Sequence, residues 1–458
     1  MKPPSLAARA AGALGLLLTV AWVYRGALAG PFQFDDYNVI VDNPQVHGLA
    51  AWWQSMPGIR PLLKLSYALN RAASPAAWGF HAVNLAVHLG NALLAWAVAG
   101  QWQRTLAPAR LPASAAWWVA LLFALHPAAT EAVTYISGRS VSLMALFYLA
   151  AMWCFVAGEG SGRRWLSRGL ATGLFALALA VRETAVTLPA ALFLLAWFGG
   201  KSPREALRGL GPQLLVLAVA AVAAVKLAGY DRFFAYSLGT RGLGEQLLAQ
   251  TVAHAHLVGH SLLGLRSNLD PDLRMPAGFD LASVLMLAWF AAAVVVAIVS
   301  RRRWPWLGFA IAWYALQMAP TNSFVPRFDL ANDRHLYLAL PGVAMAFVVP
   351  LLARGWRPLG KLLLLALAVA MGLITHRRNQ DWRSETALWQ ATVVASPAKA
   401  RPWVNLGWAR QQAGDDAGAR AAWECALELE PAHPQAAINL SLSTTPSTGP
   451  DARCPARN

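Results

Sequence analysis

Leu281-Ala282-Ser283-Val284-Leu285-Met286-Leu287-Ala288-Trp289-Phe290-Ala291-Ala292-Ala293-Val294-Val295-Val296-Ala297-Ile298-Val299 is a run of nineteen residues without a charge. At a rise of about 1.5 Å per residue, a helix of that length crosses a hydrocarbon core of roughly 30 Å. Val141–Ala157, Leu214–Leu227 and Leu362–Ile374, with their flanks, repeat the pattern. Over the whole chain of 458 residues, 57% are hydrophobic and only 13% charged, against about 25% charged in soluble domains. A water-soluble fold could not cover that much apolar surface, so the chain is read as a polytopic membrane helix bundle of the all-α class. Its net charge of +16 does not imply a nucleic-acid partner, because the basic residues lie in short loops between apolar blocks rather than along one helix face. The three cysteines, Cys154, Cys425 and Cys454, have neither metal-ligand spacing nor a disulfide pattern.

The loops fix an orientation. The loops around Arg104–Arg110, Arg163–Arg168, Lys201–Arg208, Arg301–Arg303 and Arg354–Lys361, with the N-terminus, hold sixteen basic residues and only two acids, Glu159 and Glu205. By the positive-inside rule they are cytoplasmic. The remaining twelve acids of the membrane portion, from Asp35 to Asp333, then fall on the outer face. Lys2 and Arg9 precede an apolar run ending in Ala27-Leu28-Ala29, which has the form of a signal peptide. Trp22, Tyr24 and Arg25 interrupt that form, so the run is read as the first span. The stretch Gln246–Leu265, with His254, His256 and His260, is expected to be an interfacial or re-entrant helix, because counting it would turn Arg301–Arg303 outward. Eleven spans result, with the N-terminus inside. The i, i+4 histidine pair lacks a carboxylate at metalloprotease spacing, and no metal site is assigned to it.

After Ile374 the hydropathy drops. Residues Ala400–His433 carry Trp403, Leu406, Gly407, Ala419, Trp423, Ala426 and Pro431 at tetratricopeptide-repeat positions, with Arg410 in the place usual for tyrosine. A second repeat begins at Pro434 and dissolves into a Ser/Thr/Pro/Gly tail. The expected domains are 1–376 for the membrane part, 377–442 for the repeat module and 443–458 for a disordered tail.

The first outer loop opens with Phe34-Asp35-Asp36-Tyr37, two adjacent carboxylates at a membrane surface, suited to general-base work or to binding a cation. Arg60-Pro61 follows, and then a helix with His81, Asn84, His88 and Asn91 on one face, which must point into the bundle. For Asn84 and Asn91 a structural hydrogen-bonding role is favoured. The second outer loop runs from His126 through Glu131 to Arg139 and Ser140, the third holds Arg182-Glu183, and a later one holds Asp329, Asp333, Arg334 and His335. Arg60, Arg139, Arg182 and Arg334 thus come from separate loops at one boundary. Guanidinium groups that converge there suit a phosphate or pyrophosphate headgroup; taken singly, each also fits an interfacial anchor.

In order, Phe34-Asp35-Asp36-Tyr37, Arg60-Pro61-Leu62, Phe80-His81-Ala82-Val83-Asn84-Leu85, His126–Ser140, Arg182-Glu183, Arg334-His335-Leu336-Tyr337, Arg378-Asn379-Gln380-Asp381-Trp382 and Glu385-Thr386-Ala387-Leu388-Trp389 resemble the transmembrane and tetratricopeptide-repeat O-mannosyltransferases, of the C-type glycosyltransferase superfamily. The resemblance implies transfer of a sugar, a hexose such as mannose, from a polyprenyl-phosphate carrier to an acceptor hydroxyl on the outer face. It implies that Asp35 or Asp36 is the base and that Arg139, Arg182 and Arg334 hold the departing phosphate. Arg60, His81, His126, Glu131, Glu183 and His335 are grouped with them as substrate-binding residues. Arg182 replaces the usual lysine and His335 an aromatic tyrosine, and the single repeat is shorter than in eukaryotic members. No cofactor is required, although a divalent cation could bridge acids and phosphate. The expected partners are the lipid-linked sugar, a protein or glycan acceptor, the bilayer and a protein that meets the repeat module, in a bacterial inner membrane with that module periplasmic. The competing readings are a transporter or channel for lipid-linked or anionic substrates and a membrane-anchored repeat scaffold.

Overall fold

The computed structural model describes residues 5–56, 58–107, 111–160, 162–227, 229–264, 267–276, 278, 280–353, 356–443 and 454. Every regular element among them is helical. Among the described residues, five helices are long and apolar enough to cross a membrane: Leu6–Ala29, Ala77–Leu106, Ile136–Gly158, Leu281–Arg303 and Arg357–Asp381. Two bent pairs, Ala115–Leu125 with Pro127–Val133 and Gly211–Lys226 with Tyr230–Thr240, raise the number to at most seven. Arg164–Val181, Leu188–Phe198, Pro305–Met318 and Leu340–Leu351 are helices of 18, 11, 14 and 12 residues. The eleven-span expectation depends on counting these shorter helices. Around Leu281–Arg303 the exposed face is built of Leu281, Val284, Leu285, Val294, Val295 and Val299. A contiguous apolar surface of that kind belongs against lipid, and the chain is a multi-pass membrane protein.

The helix Ala77–Leu106 lies at the centre and buries its polar stripe, His81, Asn84, His88 and Asn91. Away from water each of these groups needs a partner. The Asn84 amide donates to the carbonyls of Val133, Tyr135 and Ile136, each at 3.2 Å. Asn91 donates to Ser142 O at 2.8 Å and to the Tyr337 hydroxyl at 3.0 Å, while His88 bonds Tyr337 and the Ala124 carbonyl. Through Asn84, His88 and Asn91 the stripe therefore ties this helix to backbone carbonyls in and beside the broken stretch between 126 and 139. Gly138 permits that folding, since a Cβ there would stand 2.2 Å from Glu131 O.

At the far end of the helix Arg139–Gly158, 20 residues away, the basic loops gather. Glu159 pairs with Arg164, Arg168 and Lys201 at 3.0 Å each, and Arg301 donates to the Trp197 carbonyl at 3.1 Å. Residues 246–263 of the stretch expected to be interfacial or re-entrant lie on one continuous helix, Leu243–Leu263, with no re-entrant turn, and Leu265 lies outside the described residues. Its C-cap Gly264, at φ 61°, sits so close to Pro127 that a Cβ would approach within 2.8 Å.

The helix Arg357–Asp381 runs unbroken through the boundary expected between 376 and 377, because falling hydropathy does not interrupt backbone hydrogen bonding. Beyond it, Glu385–Ala395, Ala400–Gln412, Asp416–Leu429 and Pro434–Leu442 pack around Leu388, Trp389, Trp403, Leu406 and Trp423. Gly407 admits the Trp423 indole, 2.3 Å from where its Cβ would be. This second core also includes Tyr135 and Leu269 from the membrane part. Of the tail expected to be disordered, all but Ser443 and Cys454 lies outside the described residues.

Candidate functional site

Phe34 and Arg60, at φ 50° and 54°, are the non-glycine residues with left-handed backbone among those described. Such conformations cost about 1–2 kcal/mol each and persist only where the surroundings enforce them. Both flank the mouth of the bundle that carries Asp35 and Asp36. The Phe34 N–H donates to Glu385 Oε1 at 3.3 Å, its ring meets Trp389 edge-on at 5.3 Å, and the Gln33 side chain donates to Trp382 O at 2.5 Å. The C-terminal helices thus enforce the turn that presents Asp35 and Asp36.

The two acids differ in environment. Asp36 is 1% exposed, and its oxygens accept from Gln33 N at 3.0 Å and from Ser137 N and Oγ at 2.8 and 2.5 Å. Burial pushes its carboxyl up to about 7, against the lowering effect of the Ser137 and Gln33 bonds, and the charge of Asp35 adds a smaller upward push. Asp35 is half-buried. Its N–H donates to the Tyr135 hydroxyl at 3.0 Å, and Tyr135 also lies beneath Arg334, 6.0 Å from guanidinium carbon to ring centroid.

Across the mouth the arginines form two arrangements. Arg60 grips Glu183 through two bonds of 3.0 and 2.7 Å; Arg327 stands 3.8 Å from the same carboxylate, and the Tyr230 hydroxyl reaches it at 3.4 Å. Buried Arg182 donates to Ser140 Oγ at 2.8 Å. It feels the positive charges of Arg60, Arg334 and Arg327 with Glu183 as the acid among its neighbours, an excess of positive charge suited to an anion. Arg334 is held by Glu131, at 3.4 Å to the side chain and 3.1 Å to the backbone N–H.

Arg139 does not fit the role expected for it. It is 0% exposed, donating to Asn84 Oδ1, Asn70 Oδ1, Ser66 O and Phe80 O at 2.6–3.3 Å over the rings of Tyr67 and Phe80. Committed to protein oxygens, it braces helices and offers no open fork to a phosphate. His81 likewise bonds Gly30 O at 3.0 Å, His126 bonds Ser261 O and the Ala128 N–H, both at 3.2 Å, and His335 bonds Asn322 Oδ1 at 2.9 Å. All three are buried behind the mouth. Arg327, Tyr135 and Tyr230 were absent from the sequence-derived set; an arginine after Pro326 and two tyrosines carry no spacing signal, and folding alone brings them in.

An open apolar groove of about 1110 Å³ rises to this site between the helices Arg164–Val181 and Gly211–Leu227. Leu179, Val186, Val219 and Trp53 line it, and Arg60, Glu183 and Tyr230 stand along it.

Comparison with known proteins gives a consistent set of relatives. No family model matches the chain. It is 25% identical to the mouse protein O-mannosyl-transferase TMTC3, covering 86% of this chain and 48% of that protein, and 24% identical to the human TMTC3 over 84% and 48%. The Drosophila melanogaster protein O-mannosyl-transferase Tmtc2 is 31% identical over 42% of this chain and 21% of its own length. The chain spans about half the length of the TMTC3 relatives it matches. A crystal structure of the Archaeoglobus fulgidus oligosaccharyltransferase tethered to an acceptor peptide superposes with a TM-score of 0.43 at 17% identity, over 96% of this chain and 60% of that one. Over most of its length the chain is similar to the transmembrane and tetratricopeptide-repeat O-mannosyltransferases.

Proposed function

We propose that this chain is an integral membrane glycosyltransferase that moves a hexose such as mannose from a polyprenyl-phosphate carrier to a hydroxyl of a protein or glycan acceptor, at the outer face of a bacterial inner membrane. The observation that carries this reading is the placement of a strained, acid-bearing turn beside a cluster of arginines at an apolar groove. The groove suits a polyprenyl tail, and Arg60, Arg182 and Arg327 suit its phosphate. As the sugar–phosphate bond breaks, charge grows on the phosphate, and fixed guanidinium groups stabilise that transition state more than the ground state. Similarity to the O-mannosyltransferases supports the same reaction class.

Asp35 is the proposed base. Half-buried and facing the mouth, it deprotonates the acceptor hydroxyl for in-line attack on the anomeric carbon, with inversion, while Asp36 fixes the turn through Ser137 and Gln33. The scheme needs no cofactor. Purified protein in lipid, given polyprenyl-phosphate mannose and a hydroxyl acceptor, tests it. Asp35→Asn is expected to reduce transfer by about 10²–10⁴-fold with folding intact; transfer at the unaltered rate would remove Asp35 as the base.

A further inference from the structure

His256 and His260 lie one turn apart on the helix Leu243–Leu263, their ring centroids 4.0 Å apart. The loop that carries Arg334 brings Asp333 to them, with His260 Nδ1 and Asp333 Oδ1 at 2.8 Å. One donor atom from each of the three lies within 4.8 Å of the others. The carboxylate missing from the sequence around the histidines is therefore supplied from some seventy positions downstream (333 − 260 = 73). Asp333 and His260 are buried and His256 is half-buried, which leaves the cluster one partly open side. The neighbouring histidines are otherwise engaged: His126 with Ser261 and Ala128, His254 with Asn322 O at 2.9 Å.

We propose that His256, His260 and Asp333 bind a divalent transition-metal ion, zinc fitting best. Two imidazoles and one carboxylate are borderline ligands that favour zinc over magnesium or calcium, and three protein ligands leave a fourth tetrahedral position for water on the side of His256. The ion would staple the helix to the loop one residue before Arg334. Its binding requires neutral histidines and an ionised aspartate, so affinity falls as pH falls. This site is separate from Asp35 and Asp36 and does not depend on the transfer reaction proposed above.

The test is metal content and cobalt absorption of the full chain, purified with a histidine-free affinity tag, stripped with chelator and reloaded with zinc or cobalt. About one zinc per chain is expected, with a visible tetrahedral cobalt spectrum. His256→Ala and Asp333→Asn should each weaken binding by at least the roughly 10–100-fold that loss of an outer-shell partner alone causes. His256→Ala, at the partly open corner, keeps the test sound if Asp333→Asn misfolds. Zinc content in the unaltered chain no higher than in His256→Ala, or zinc retained by both variants, overturns the site.

Discussion

Asp36 is a carboxyl whose native bonds suit the ionised form while its burial favours the neutral one. Burial, outweighing the lowering effect of the Ser137 and Gln33 bonds, leaves its pKa at about 7, and it ionises across the neutral range. Protonation below pH 7 turns one of the two oxygens that accept from Gln33 and Ser137 into a hydroxyl, weakens the bonds it receives and loosens the turn that presents Asp35. Transfer is therefore expected to rise through about pH 7, and Asp36→Asn to flatten that rise; a rise that persists unchanged in the variant assigns it to another group. The linked stability runs the other way. The folded value lies above the ordinary 3.8, so the stabilising contribution is full below that value and is lost as pH rises through about 7. Arg139 gives a different expectation. Arg139→Met keeps much of the volume but strips partners from Asn84 Oδ1, Asn70 Oδ1, Ser66 O and Phe80 O, and should cost about 2–4 kcal/mol, seen as a lower melting temperature in detergent.

Between residue and molecule stand elements that do not run straight. The pair Ala115–Leu125 and Pro127–Val133 bends by 57°, and the carbonyls of Val133, Tyr135 and Ile136 beyond the bend accept from Asn84. That bend brings Ser137 to Asp36 and Glu131 to Arg334. The helices Arg164–Val181 and Gly211–Leu227 meet where Gln213 donates to Thr172 Oγ1 at 3.0 Å and leave the groove between their remaining lengths. If a polyprenyl chain lies there, Ala220→Trp, which fills the groove wall, should raise the KM for a long-chain donor by an order of magnitude or more while sparing a donor with a short tail. Equal effects on both donors would place the lipid elsewhere. Uncharged apolar runs made spanning helices legible, and the loop that begins at His126 was legible too, but the packing that leaves a groove between one helix pair was not.

For the whole molecule, the C-terminal helices matter through their contact with the mouth. Trp382 O accepts from Gln33, Glu385 from the Phe34 N–H, and Trp389 packs on the Phe34 ring. Arg401 bonds both Asp270, at 2.6 Å through Nε, and Asp329, at 2.8 Å. Trp389→Ala is expected to lower kcat several-fold, with the donor KM nearly unchanged, because it releases the turn that holds Asp35 and leaves the groove alone; a change confined to KM would contradict that coupling. By itself the sequence determined membrane residence, the helical class, the burial of the stripe on Ala77–Leu106 and the acids and arginines worth examining, because hydropathy and helical spacing are local properties. Only the tertiary structure decided that Arg139 is spent on protein oxygens, that Arg327 joins Arg60 at Glu183, that Asp333 meets His260 and that Trp382, Glu385 and Trp389 grip the first loop. Those depend on which distant side chains meet, and meeting is set by packing among helices rather than by any interval along the chain.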